Sequence, residues 1–132
     1  MKRFKFIIAL FAPLALLACG MFTEKDLGYP QMVTFPKEGG EKVVISESGE
    51  CFTHAEIHDY KSGANGTPTT LEDGTNCNDF KWLRVEHQPH STELKIIAQP
   101  NNGQSRKLHI ELYSSYDYHV IEVFQETSAM LE

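Results

Sequence analysis

Two short stretches combine side chains that could do chemistry. His54-x-Glu56-x-His58 sets two imidazoles and a carboxylate at alternate positions. On a strand such positions share one face, and together they offer nitrogen and oxygen ligands to a metal ion. The spacing argues against a site built from these three alone. The outer pair lies about 13 Å apart at a rise of about 3.3 Å per residue, so only neighbours can share an ion, and no fourth ligand is evident. The triplet is therefore expected to be a solvated outer face opposite Ala55 and Ile57, with no metal.

The second stretch is Tyr113-Ser-Ser-Tyr116-Asp-Tyr118. It places three tyrosines around a predicted hairpin turn. Each supplies an apolar ring with a polar handle, the pairing that stacks on sugar faces, and turns and loops commonly carry function. Tyr113, Tyr116 and Tyr118 are the candidate ligand contacts.

Three cysteines complete the reactive inventory. Cys19 ends Leu16-Leu17-Ala18-Cys19, which resembles the lipobox of bacterial lipoprotein signal peptides and closes an uncharged run from Phe6 to Ala18 that follows Lys2, Arg3 and Lys5. The run is too short for the roughly 20 apolar residues that span a bilayer but suits a signal-peptide core. Cys19 is thus expected to become the first mature residue and to carry the lipid. Multiple acyl chains anchor stably where one does not. Cys51 and Cys77 then remain for an oxidising compartment, where a disulfide between them is the default expectation. Cys51-x2-His54-x3-His58 with Cys77 matches no common zinc module.

No motif for catalysis stands out. Gly-x-Ser-x-Gly, His-Glu-x-x-His and a Gly-rich phosphate loop are all missing,. Glu72-Asp73 sits in a polar run where hydration is the default. The chain is expected to be non-enzymatic and to use no cofactor.

The charge balance narrows the partners. The full chain holds 12 basic and 18 acidic residues. Cleavage after Ala18 takes Lys2, Arg3 and Lys5 away, leaving 9 basic residues and a formal charge of −9. Such a surface repels phosphate backbones and anionic headgroups. Nucleic acid is not an expected partner, and membrane attachment falls to the lipid. The expected address is the bacterial cell envelope, at the outer membrane.

The elements that must position these residues read as strands. Residues 1–18 form the leader, 19–30 a lipidated tether with no strand or helix period, and 31–127 one domain. Within it, segments 32–35, 42–46, 52–59, 81–87, 93–99, 107–113 and 118–126 alternate apolar and polar side chains, with β-branched and aromatic residues prominent,. Residues 107–113 alternate most clearly, with Leu108, Ile110 and Leu112 against Lys107, His109 and Glu111. About seven short strands predict an all-β sandwich; an open barrel is the lesser option. Pro100–Gly103 and Ser114–Asp117 carry turn chemistry, so the last three strands are expected as consecutive antiparallel hairpins. Residues 59–79 read as a long loop, clamped at its far end by the disulfide.

From Val33 to Gln125 the pattern resembles the BACON domain, a family named for a carbohydrate-binding role. The matching residues are Val33-Thr34-Phe35-Pro36-x-x-Gly39-Gly40-x-Lys42, then Trp82-Leu83-x-Val85, Ala98-x-x-Asn101, Ser105-Arg106, Ile110-x-Leu112 and Val123-x-Gln125. The resemblance implies an immunoglobulin-like β-sandwich. Its shared residues read as structural: Gly39-Gly40 for a turn, Trp82 for the core between sheets, Gln125 for backbone groups beside the last strand. The 59–79 insert with its cysteines departs from the family pattern. By resemblance the expected function is a non-catalytic, lipid-anchored module that binds glycan. The alternative is an accessory lipoprotein that docks a protein partner.

Overall fold

Alternation along each strand builds the two walls of the core. The computed structural model describes residues 22–127, which form eleven strands. In chain order these are β1 (Thr23–Glu24), β2 (Met32–Phe35), β3 (Gly40–Ile45), β4 (His54–Asp59), β5 (Ala64–Asn65) and β6 (Thr67–Thr70). They continue with β7 (Asn76–Phe80), β8 (Leu83–His87), β9 (Glu93–Ala98), β10 (Arg106–Tyr113) and β11 (Asp117–Gln125). One sheet runs β1-β11-β10-β4-β5, with β2 also on β11; the other runs β3-β9-β8-β7-β6. Leu108, Ile110 and Leu112 of β10, Ile121 and Val123 of β11 and Ile57 of β4 line the first wall. Leu83, Val85, Leu94 and Ile96 line the second. The fold is the expected all-β sandwich, and among the described residues no strand pairing joins the sheets into a barrel.

All seven expected strands are present, and the differences lie between them. The tether reading ends at Thr23. β1 pairs with Asp117 and Tyr118 of β11, and Leu27 and Tyr29 are buried in the core. The Tyr29 hydroxyl donates to the carbonyls of Thr92 (2.8 Å) and Glu50 (3.2 Å), and burial pushes its phenol up to about 12. Cys19 and the lipobox lie outside the described residues.

The expected hairpin from β9 to β10 is absent. β9 pairs with β3 and β8, while β10 pairs with β4 and β11, so Pro100–Gly103 crosses between the sheets. Buried Asn101 makes that crossing. Its side chain donates to the carbonyls of Gln104 and Glu126 and accepts from the Gly103 amide. The Ser114–Asp117 turn does close a hairpin, β10 on β11.

Residues 59–79 are likewise not a loop. β5 extends the first sheet by pairing with β4, and β6 pairs with β7 at the edge of the second. Pro68 and three threonines suit an exposed edge, where a missing amide costs no ladder bond. Gly66 makes the corner between sheets. A Cβ there would come within 2.0 Å of Asn78 Oδ1, the atom that accepts the Ile57 amide at 2.9 Å.

The expected Cys51–Cys77 disulfide finds no support in the structure. Both cysteines are free thiols, Cys51 exposed and Cys77 buried. Cys77 pairs with Glu86 and Thr69. Its neighbour Asn78 pairs with core Val85, so alternation turns the Cys77 side chain to the outer face. Cys51 instead sits in the connection before β4, its Sγ 3.4 Å from the His90 carbonyl.

The residues expected to be structural act as such. Gly39 adopts φ 77° at the turn into β3, where a Cβ would meet the Ala98 carbonyl at 2.3 Å. Gln125 is fully buried; it donates to the carbonyls of Pro36 (3.1 Å) and Gln99 (2.7 Å) and accepts from Arg106 Nε (2.8 Å). Trp82 is buried at the margin of the core, with the Arg106 guanidinium 4.7 Å over its ring. Val43 and Ile45 share the outer face of edge strand β3, and both are about half exposed.

Candidate functional site

Strand register assembles the chemistry on the outer face of β4, β10 and β11. Because β10 alternates strictly, His109, Glu111 and Tyr113 all point away from the core. Antiparallel pairing then sets Tyr113 between His54 and Tyr118, Glu111 between Glu56 and Val120, and His109 between His58 and Glu122. Three rows across three strands thus carry four of the five histidines and tyrosines named in the sequence motifs, together with Glu56, and add His109 and Glu111 from β10.

Rings occupy the two ends of this face. His54 stacks on Tyr113 with centroids 4.7 Å apart and 12° between planes, and Tyr118 lies 5.9 Å from Tyr113. Phe22 packs edge-on against Tyr113 at 5.4 Å. At the other end Tyr60 stacks on His109, centroids 4.2 Å apart. Tyr60 is half exposed, so one of its faces is available.

Carboxylates hold the middle row. Tyr113 and Tyr60 both donate their hydroxyls to Glu111, on Oε1 and Oε2. Burial first, and then the bond to Glu111, pushes both phenols far above the ordinary tyrosine range. His58 Nε2 lies 3.0 Å from Glu56 Oε1 and 3.1 Å from Glu111 Oε1. Burial lowers the pKa of His109, while Glu122 at 3.8 Å opposes the shift.

Beside Tyr60 and His109 a groove of about 880 Å³ opens toward the end of the sandwich. Phe80, Trp82 and Phe124 give it aromatic walls, and Lys61, Lys81, Arg106 and Lys107 ring it with positive charge. In a chain of net charge −6 this is a local reversal.

Part of this arrangement is legible in the sequence. Of its three candidate tyrosines, Tyr113 and Tyr118 meet as a cross-strand pair, whereas Tyr116 stands highly exposed at the turn. His54, Glu56 and His58 share the expected outer face. They are engaged by β10 and not simply solvated. Glu111 and Tyr60 were not among the candidates. Glu111 was legible as an outward residue of β10, but its partners depended on register; Tyr60 was hidden in the supposed loop.

Among solved structures the chain is similar to a protein from Bacteroides thetaiotaomicron determined by NMR. The two are 16% identical, the match covers 79% of this chain and 86% of that one, and the TM-score is 0.51. At that identity the likeness speaks for the fold alone. No protein-family model matches the sequence, and no curated protein does.

Proposed function

We propose that this chain is a non-catalytic, lipid-anchored module of the bacterial envelope that binds glycan beside Tyr60. The observation that carries the reading is the Tyr60–His109 stack at the mouth of the aromatic groove. Sugar rings present apolar C–H faces edged by hydroxyls, and recognition needs an exposed ring beside hydrogen-bonding groups. Tyr60 supplies the ring. Glu111, Glu122 and Asp59 offer acceptors nearby, and the groove's lysines and Arg106 favour glycans bearing anionic groups. The lipobox at Cys19 and the BACON-like pattern point to the same setting, an envelope protein that holds polysaccharide.

A glycan array with the purified chain tests this. Binding should fall at least about tenfold in Tyr60→Ala and persist in Tyr116→Ala. No retained glycan, or retention unaffected by Tyr60→Ala, would refute the reading. A second reading, docking of a protein partner, rests on Val43 and Ile45, which leave edge strand β3 with an exposed apolar outer face. Co-purification of a fixed partner that Val43→Lys abolishes, with no sugar bound, would put that reading first.

A further inference from the structure

Glu56, His58 and Glu111 each present one ligand atom, and these three atoms lie within 4.8 Å of one another. We propose that they form a binding site for a divalent transition-metal cation, with zinc the best fit to the ligand chemistry. The cluster adjoins the proposed glycan site, to which Tyr60 links it through Glu111, but its ligand atoms and its test need no sugar.

Geometry is the first support. A tetrahedral zinc ion with bonds of about 2.0–2.1 Å holds its ligand atoms roughly 3.3–3.4 Å apart. The His58 nitrogen already sits 3.0 and 3.1 Å from an oxygen of each glutamate. All three residues project from paired strands, so the backbone ladder fixes their separation. The obstacle of spacing along β4 disappears, because Glu111 reaches the pair sideways from β10.

Charge is the second support. Glu56 and Glu111 stand directly opposite each other, a placement that disfavours two carboxylates. Their ion-pair partners among the described residues are histidines, with no lysine or arginine within 4 Å of either. The Glu111 and His58 side chains are only 13% and 16% exposed, so water screens them weakly. A divalent ion would neutralise both acids.

The surroundings are the third. Tyr113 and Tyr60 donate to the two oxygens of Glu111 and fix its orientation, as hydrogen-bonded ligands are fixed in metal sites. One imidazole with two carboxylates suits zinc better than calcium, which takes 6–8 oxygen ligands.

The test is calorimetric titration of zinc into the purified, chelator-treated chain, free of affinity-tag histidines and of sugar. One ion should bind per chain. His58→Ala and Glu111→Gln should each weaken binding by about a hundredfold or more, beyond the loss typical of removing only a ligand's hydrogen-bond partner. Cys51→Ser should leave it unchanged. In the unmutated protein, NMR should show the His58 imidazole shifting with zinc while that of buried His119 stays in place, a readout independent of how the variants fold. Absence of zinc binding overturns the proposal. So does binding that survives both His58→Ala and Glu111→Gln, binding lost in Cys51→Ser, or a His58 imidazole that does not respond. Calcium binding as tight as zinc at these residues would overturn the transition-metal assignment.

Discussion

Glu56 and Glu111 face each other directly across the β4–β10 ladder, yet their surroundings are unequal. Glu111 accepts two tyrosine hydroxyls and lies 3.1 Å from His58 Nε2, whereas the ion-pair partners of Glu56 among the described residues are the histidines of its own strand. Two acids of the same type at one level of the sheet therefore carry different structural weight.

That difference can be measured in metal-free protein. Glu111→Ala strips the part-buried Tyr113 hydroxyl, the exposed Tyr60 hydroxyl and His58 of their acceptor, and should lower unfolding stability by about 1–3 kcal/mol,. Glu56→Gln removes a like-charge pair and retains an amide that can meet His58, so its stability should stay within about 0.5–1 kcal/mol of the parent. Urea denaturation with chelator present compares them. Equal losses from the two would show that the tyrosine contacts do not anchor Glu111.

The two thiols should separate in labelling. Cys51 is exposed and should react in the native, unreduced protein. Cys77 is buried, and burial raises its thiol pKa, which lowers the reactive thiolate fraction,. It should label only on unfolding. Failure of either cysteine to label in unreduced denaturant would show that the chain joins them after all.

His87 sets a pH dependence. It is buried against Phe52 at 4.7 Å between centroids, and burial, with a smaller contribution from nearby His54, holds its pKa below the ordinary value. The unfolded chain therefore binds a proton more readily than the folded one. Its contribution to stability is fully present above about pH 6.5, the unfolded value, and declines as pH falls below it. His109 shifts the same way. Urea midpoints between pH 5 and 8 should fall on acidification, and His87→Gln should reduce the slope without abolishing it. An unchanged slope would remove His87 from the account.

Where the strands lie was legible because alternation is a local property. Leu108, Ile110 and Leu112, or Leu94 and Ile96, declare an inner face wherever they pair. The threonine-rich edge β6 and the polar strand β7 carry no such apolar period, so 59–79 read as a loop. Burial of Leu27 and Tyr29 was equally invisible, since two apolar residues among polar neighbours form no pattern. The disulfide expectation came from compartment and count, neither of which sees that Cys77 lies on the outer face.

The sequence by itself determined the all-β class and the two faces of the regularly alternating strands, because alternation is a local property, while the family resemblance pointed to the structural roles of Gly39 and Gln125. Tertiary structure alone decided which strands meet. The Pro100–Gly103 segment has the chemistry of a hairpin turn and yet crosses to the other sheet, which leaves β10 free to pair with β4. That pairing puts Glu111 beside Glu56 and His58, and the folding of 59–79 brings Tyr60 onto His109. Register sets such contacts between residues some fifty positions apart, and a shift of one residue would turn every one of these side chains to the opposite face.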